Sequence, residues 1–372
     1  MKILFVTTIS NTVNSFLIPH IEFLLKQGHH VDIACNIVRD INSCLSQQGC
    51  KIYKLEFQRS PLKYKNYFAY KKLKKLVMDE KYDLVHTHTP VASAFVRFAC
   101  RKIKNVKVIY TAHGFHFYNS APLRNWMLYY PIEKWLSRYT DIIITINKED
   151  YVIAKKSFKA RKVEYIPGIG LDINKFSNVV INKSEKRREL GVPKDAFVLL
   201  SVGELNKNKN HEVIIKAIAN MDNPKAYYII CGKGDEEKNL KKLSEVLGIG
   251  DRVKMLGYRN DVNEIYKVAD VFVFPSYREG LPVSLMEAMV AELPIVCSDI
   301  RGNNDLIENE KNGYLVKAND VDGFTRAIEK LYKVRKIMKE FVEINNDKVK
   351  MYSIKNIIKK MEDIYLSYLQ NT

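Results

Sequence analysis

The sequence predicts an α/β protein of two Rossmann-like, doubly wound parallel-sheet domains facing one another across a cleft. Three observations predict it. Short β-branched apolar runs alternate with amphipathic segments along most of the 372 residues, the pattern of parallel strands joined by crossover helices. The runs are almost continuously apolar, as strands buried on both faces must be. The alternation then restarts near Phe197, after a seam rich in glycine, proline and charge over Pro167–Lys194.

In the first half, strands are expected at Lys2–Thr8, Val31–Asn36, Lys51–Phe57, Asp83–His88, Val106–His113, Asp141–Ile146 and Val163–Ile166. Helical periodicity fills Ser15–Lys26, Lys63–Met78 and Leu123–Arg138 between them. In the second half, strands are expected at Phe197–Gly203, Ala226–Cys231, Arg252–Leu256, Val271–Pro275, Pro294–Ser298 and Gly313–Val316. The tail Phe324–Leu369 is helical in pattern throughout. The domains are expected to span 1–170 and 171–353, with a C-terminal helix 354–372 rejoining the first.

Composition narrows the functional classes. Lys and Arg number 60 and Asp and Glu 42, a net charge of +18 that calls for an anionic partner. No apolar run approaches the roughly 20 residues that span a bilayer. Met1–Thr8 reads as a first strand rather than a signal peptide. The six cysteines form no C-x-x-C pair and no zinc spacing, so they are expected to be reduced thiols in a cytosolic protein.

The chemistry concentrates in Pro275–Met289. A strand ends at Pro275, a loop carries Glu279, Gly280 and Leu281, and Pro282 is placed to open a helix. That puts a helix N-terminus at the C-terminal edge of a parallel sheet, where free N–H groups and the macrodipole hold phosphates. Glu279 precedes the helix, with Ser284 and Glu287 inside it. Carboxylates accept hydrogen bonds from sugar hydroxyls. Taken alone, Glu279 would be a dipole charge and Glu287 a surface residue. The spacing E-x7-E within R-E-G-L-P-V-S-L-M-E-A-M, however, resembles the signature of family-4 retaining glycosyltransferases of the GT-B fold. Three further segments resemble the same family. Ser201–Leu205 with Lys209-Asn210 is similar to its phosphate loop, Tyr110–Gly114 to its N-domain histidine motif, and Ile166–Asp172 to its interdomain linker. The nearest resemblance is to bacterial capsule and exopolysaccharide enzymes.

The resemblance implies roles. Glu279 and the backbone of Gly280 and Leu281 would contact donor sugar and phosphate, and Glu287 the ribose. Lys209 would pair with the diphosphate, as charge complementarity also favours. His113 would touch sugar or acceptor, although a histidine ending an apolar strand also fits a structural role. Glu204 stands where the family usually carries Arg, leaving Lys207 or Lys233 to supply the cation. Gly203 belongs to the phosphate loop. Gly232 and Tyr258 follow strands and are placed to wall the nucleobase, the glycine pair at 232 and 234 also fitting a plain tight turn. Asn11, Thr12 and Asn14, in a polar loop without the family's Gly-Gly, are acceptor-side candidates, as is His88.

Asp320-Val321-Asp322 matches a metal-binding D-x-D, but its place at a helix start reads as capping. His86 and His88 share a strand face without a third ligand at metal spacing. No metal and no cofactor are therefore expected. Lys51–Lys81 holds ten basic and three acidic residues interleaved with Tyr64, Tyr67, Phe68 and Tyr70. It fits a membrane-facing basic–aromatic helix or a solvated lysine-rich face, and the resemblance, whose enzymes usually take lipid-linked acceptors, favours the anionic membrane. The function expected is sugar transfer from a nucleotide donor, a UDP-sugar, to a polyprenyl-linked saccharide at the inner membrane face. The alternatives are a GT-B epimerase or hydrolase and a nucleic-acid binder; for the latter no recognition motif is present, and no nucleic acid is expected.

Overall fold

A computed structural model describes residues 1–369; the last three residues of the expected helix 354–372 lie outside them. The chain divides into two units, Met1–Gly170 with the C-terminal segment from Lys355, and Leu171–Ile354.

The first unit holds a parallel sheet of β1 (Lys2–Ile9), β2 (His30–Asn36), β3 (Ile52–Lys54), β4 (Leu84–His88), β5 (Lys107–Ala112), β6 (Ile142–Thr145) and β7 (Lys162–Tyr165). Their order is β3-β2-β1-β4-β5-β6-β7. The strand order reverses between β1 and β4, where Ile3–Val6 pair with Leu84–Thr87. Inner strands are buried on both faces, β4 along its whole length. The short β3 and β7 lie at the edges, which limits unpaired backbone. β3 is shorter than the expected Lys51–Phe57 because the chain turns inward after Lys54. Leu55 N–H bonds Cys35 O at 2.9 Å, and Leu55 and Phe57 enter the core. Ile357, Met361, Ile364 and Tyr365 of the C-terminal helix (Ile354–Leu369) pack into the same unit's core.

The second unit repeats the plan with β8 (Phe197–Val202), β9 (Ala226–Cys231), β10 (Val253–Met255), β11 (Val271–Phe274), β12 (Ile295–Ser298) and β13 (Tyr314–Val316). Their parallel order is β10-β9-β8-β11-β12-β13, reversing between β8 and β11. In doubly wound sheets the crevice for a ligand opens at that reversal, past the carboxyl ends of the two strands.

The seam differs from expectation. Lys183–Glu189, expected within the seam between the domains, is a helix of the second unit, and Asn182 caps it by accepting from Ser184 N and Glu185 N, each at 3.2 Å. Arg187 is buried, donating to Lys194 O at 2.8 Å, Ala196 O at 2.9 Å and Val268 O at 2.9 Å, and to Asp270 Oδ2 at 2.7 Å. Its donors meet mainly backbone carbonyls, an environment that a charge run does not announce.

Candidate donor site and histidine cluster

In the second unit the loops after β8 and β11 are stitched together. Tyr277 N–H donates to Asn208 O at 2.8 Å, and Asn208 Nδ2 to Arg278 O at 3.0 Å. Asn210, in left-handed backbone (φ 54°), donates from its side chain to Pro275 O at 3.2 Å and Ala318 O at 2.6 Å. These bonds bring Lys209 to Glu279: Nζ lies 2.7 Å from Oε1, with the two side chains 18% and 15% exposed. The ammonium also sits 4.5 Å from the Phe274 ring centroid. Arg301, which the sequence did not single out, is buried and donates from Nε to Glu279 O at 3.1 Å. The next residue, Gly302, has φ +84°, and a Cβ there would fall 2.4 Å from Gly280 O, so the two loops meet backbone to backbone.

The phosphate-loop candidate is equally constrained. A Cβ on Gly232 would stand 1.8 Å from Gly203 O, so only glycine lets the two loops touch. Close backbone approach therefore explains Gly232 before any nucleobase does. His211 Nε2 lies 3.3 Å from Glu204 O and Nδ1 2.9 Å from the Tyr228 hydroxyl, which itself donates to Ser201 Oγ at 2.8 Å. Burial lowers the His211 pKa to about 4. The Glu204 carboxylate is exposed and accepts from Asn206 Nδ2 at 2.9 Å. Lys207 and Lys233 are both exposed. Tyr258 is 63% exposed, next to Gly257.

The helix after β11 spans Val283–Val290. Pro282 is its N-cap in extended backbone (φ −76°, ψ 118°), one position earlier than expected. Ser284 is in the first turn. Glu287 is half-buried, with Oε2 accepting from the Tyr266 hydroxyl at 2.9 Å. The same hydroxyl lies 3.0 Å from Ser284 O. Burial raises the Glu287 pKa; the Tyr266 bond and the Lys175 charge oppose that rise. Tyr266 anchors one carboxylate oxygen and leaves the other able to accept. Nothing local marked Tyr266, which reads as a core aromatic in its own helix.

In the first unit the segment after β1 is helical rather than a loop. Ser10–Thr12 is α-helical, Val13–Leu17 a π-turn and Ile18–Lys26 α-helical, with Pro19, which lacks an N–H, just past the π-turn. Asn11 is exposed and Thr12 half-buried. Asn14 is engaged in structure: it donates to Asp40 O at 2.8 Å and accepts from Asn42 N at 3.1 Å. The ends of β1 and β4 are tied by Thr8 N–H donating to Thr89 Oγ1 at 3.1 Å.

Four of the eight histidines gather behind that point. His113, just past β5, places Nε2 3.1 Å from His88 Nδ1. His86 Nδ1 lies 2.7 Å from the Tyr365 hydroxyl and Nε2 2.8 Å from Thr111 Oγ1. His20 donates from Nε2 to Ile169 O at 2.8 Å. Burial, the largest cause, lowers every one of these pKa values, to about 3 for His86 and about 4 for His113. The cluster is thus held neutral, and the register pairing His88 with Thr111 is what sets His113 beside it.

Asp320 accepts from Gly323 N at 2.8 Å and caps the helix Val321–Lys333. The basic segment divides on folding: Leu55 and Phe57 are buried, while the lysines of the helix Lys65–Glu80 are exposed with Tyr64, Tyr67 and Phe68. A second helix, Leu123–Leu136, exposes Leu123, Met127, Leu128, Ile132 and Trp135, which the sequence did not single out. Phe98 links the two faces, its ring 5.7 Å from Tyr70 and 5.9 Å from Trp135. Among the described residues no helix is long and apolar enough to cross a membrane.

The chain was compared with known proteins. Residues 182–348 match the family model described as "Glycosyl transferases group 1", and residues 2–147 match "Glycosyl transferase 4-like". EpsD of Bacillus subtilis (strain 168), a putative glycosyltransferase, is 36% identical over 99% of this chain and 97% of that protein. The UDP-Gal:alpha-D-GlcNAc-diphosphoundecaprenol alpha-1,3-galactosyltransferase of Escherichia coli is 33% identical over 80% of this chain and 79% of that one. Among solved structures, Anabaena Alr3699/HepE in complex with UDP has TM-score 0.81 at 20% identity, covering 99% of this chain and 100% of that one. At that identity the likeness concerns the fold.

Proposed function

The chain belongs to the group 1 glycosyl transferases, with a glycosyl transferase 4-like N-terminal half, and from that premise we propose its reaction. It moves a sugar from a UDP-sugar to a lipid-linked saccharide in surface-polysaccharide synthesis, with retention of anomeric configuration. The observation that carries this reading is the Lys209–Glu279 pair, 2.7 Å apart at the sheet reversal beside the N-terminus of the Glu287 helix. A diphosphate, a sugar and a ribose need a cation and two acceptors of hydroxyl hydrogens. The loop pair supplies the cation and one acceptor, and Glu287 in the helix that follows supplies the other. The donor and acceptor classes are those in the name of the Escherichia coli relative.

In this reading Lys209 and the first-turn N–H groups from Val283 onward hold the diphosphate and stabilise it as it departs. Glu279, Gly280 and Leu281 hold the transferred sugar, and Glu287 holds the ribose. Gly203, Glu204, Gly232 and Tyr258 border the nucleoside. In the first unit, His113 is the contact for a sugar or acceptor hydroxyl. With no side chain in the role of a covalent nucleophile, the departing diphosphate itself assists attack from the same face. Lys209 and the helix N-terminus do the work that a divalent ion does elsewhere.

The test is a thermal-shift screen of nucleotide sugars followed by product analysis with a polyprenyl-linked saccharide, with and without EDTA. A donor at 100 times its dissociation constant stabilises by about 2.7 kcal/mol. Transfer that persists in EDTA is expected. Hydrolysis or epimerisation of the donor without transfer overturns the assignment, and activity restored only by Mg²⁺ or Mn²⁺ overturns the metal-independent part.

Glu287→Ala is expected to weaken UDP binding by about 1.5–3 kcal/mol, the worth of hydrogen bonds to a charged group. Tyr266→Phe, which loses only the anchor, should cost about 1 kcal/mol. Titration calorimetry with UDP measures both; unchanged affinity in Glu287→Ala removes Glu287 from the ribose site.

The enzyme also binds anionic membranes through the first unit, by the lysines of Lys65–Glu80 and the exposed apolar stripe Leu128, Ile132 and Trp135. Basic residues near such a surface contribute about 1 kcal/mol each. Sedimentation with acidic vesicles should exceed that with neutral ones and weaken with salt. Leu128→Ser with Ile132→Ser should reduce it at every salt concentration. Equal binding to both vesicle types sinks the proposal.

A further inference from the structure

His88 sits at the end of β4 and is 3% exposed. Its Nδ1 lies 3.1 Å from His113 Nε2. Its Nε2 is buried and has no hydrogen-bond partner. The ring lines a cavity of about 20 Å³ whose other walls include Phe5, Ile144, Ile166 and Met361. His20, His86 and Thr111 also line it, and no carboxylate does. The ring stacks on Phe5, centroids 5.8 Å apart and planes 13° from parallel, so it cannot turn freely.

In the contact between His88 and His113, one nitrogen carries the hydrogen and the other accepts. If His88 accepted at Nδ1, its own hydrogen would sit on Nε2, an N–H buried without an acceptor. Orphaned buried N–H groups are rarer than under-satisfied acceptors. The hydrogen therefore belongs on His88 Nδ1. His113 Nε2 is then the acceptor, and the neutral His113 ring keeps its hydrogen on Nδ1.

We propose that His88 is a positioning residue: by donating from Nδ1 to His113 Nε2 it holds His113 as the Nδ1–H tautomer. His113 then offers substrate a fixed N–H donor rather than a choice of donor and lone pair. The proposal rests on the reading that His113 contacts substrate. It adds a specificity: the group recognised is an acceptor of a hydrogen bond, such as a sugar hydroxyl oxygen, and not a proton that needs a base. His86, held on both sides by Tyr365 and Thr111, packs 4.3 Å from the His88 ring and keeps it in register.

The test labels histidine with ¹⁵N and reads each ring's tautomer from long-range proton–nitrogen spectra of the full chain. The result expected is His113 in the Nδ1–H form in the wild type, and loss of that preference in His88→Leu. His88→Asn keeps an N–H donor where Nδ1 stood and should restore it; His88→Gln, whose amide reaches the Nε2 position, should not. Kinetics should follow: kcat falls about tenfold in His88→Leu and recovers in His88→Asn. His88→Leu should add little in a His113→Ala background, as expected of coupled residues. A wild-type His113 in the Nε2–H form overturns the proposal. So does equal loss of kcat in the Asn, Gln and Leu variants in proportion to their thermal destabilisation, which would mark a packing role. Full activity in His113→Ala overturns the reading of His113 instead, and the tautomer spectra then decide the His88 assignment alone.

Discussion

Glu279→Gln is expected to lower kcat by about 10²–10³-fold, the cost of removing one preorganised transition-state contact. Free UDP should bind the variant as well as before, or better. The reason is the ion pair. Without nucleotide, Glu279 neutralises Lys209 at 2.7 Å. A diphosphate must draw Lys209 away from that carboxylate, and an uncharged amide in its place would hold the ammonium less tightly. Binding energy to UDP is thereby kept or gained. The reacting sugar, however, loses a negative charge beside the anomeric carbon as positive charge develops there. A fall in kcat with unchanged diphosphate affinity is the pattern of a contact made only in the transition state. Lys209→Met is the complementary variant. It should weaken UDP binding by about 1.5–3 kcal/mol, because the diphosphate loses a charged donor. Calorimetry with UDP and steady-state kinetics with the full donor separate these effects. If Glu279→Gln loses UDP affinity and keeps kcat, the two carboxylates of the motif have exchanged roles.

Acidification from pH 7.5 to 5 is expected to destabilise the first unit by about 4 kcal/mol. His86 and His113 have pKa values lowered from 6.5 to about 3 and about 4, chiefly by burial. A base with a lowered folded pKa contributes stability above its unfolded pKa and loses it as pH falls below that value. At pH 5 the unfolded chain holds nearly one more proton at each ring than the folded chain does. Over the roughly 1.5 pH units below the unfolded value, each ring costs about 2 kcal/mol. His20 and His88 shift in the same direction. Both tryptophans of the sequence, Trp126 and Trp135, lie in the first unit, so urea unfolding followed by tryptophan fluorescence reports on it. The midpoint should fall between pH 7 and 5, and a His86→Phe, His113→Phe variant should show a flatter profile. A midpoint independent of pH in the wild type would show that the rings are not buried neutral.

The fold was legible because parallel strands buried on both faces write their burial into consecutive residues. Each of the thirteen expected runs coincides with a strand, most ends agreeing within a residue or two, with β1, β2 and β7 reaching one residue beyond the expected run and β3 four residues shorter. The misreadings have a common origin. Lys183–Glu189 was assigned to the seam between the domains because charge is local information. What buries Arg187 is a set of carbonyls between residues 194 and 268. The polar stretch after β1 looked like a loop because its helix starts without a usual cap: Ile9 is the N-cap and makes no side-chain bond. The apolar stripe of Leu123–Leu136 was missed because its residues, with Tyr130 and Trp126 turned inward, look the same in sequence whether they are covered or exposed.

Residue types and their spacing determined by themselves the fold class and the helix start after β11, whereas Glu279, Glu287 and Lys209 stood out through the resemblance of their motifs to a known family. The fold class and the helix start were legible because period, breakers and charge act over a few neighbouring positions. What meets what was decided only by tertiary structure. Lys209 and Glu279 are 70 residues apart, Tyr266 and Glu287 21, His88 and His113 25, and His86 and Tyr365 279. The first and third of these follow from strand order, which sets β8 against β11 and β4 against β5, and the other two from the helices that pack on the sheets. Strand order comes from the global competition to bury apolar faces, and no local pattern encodes it.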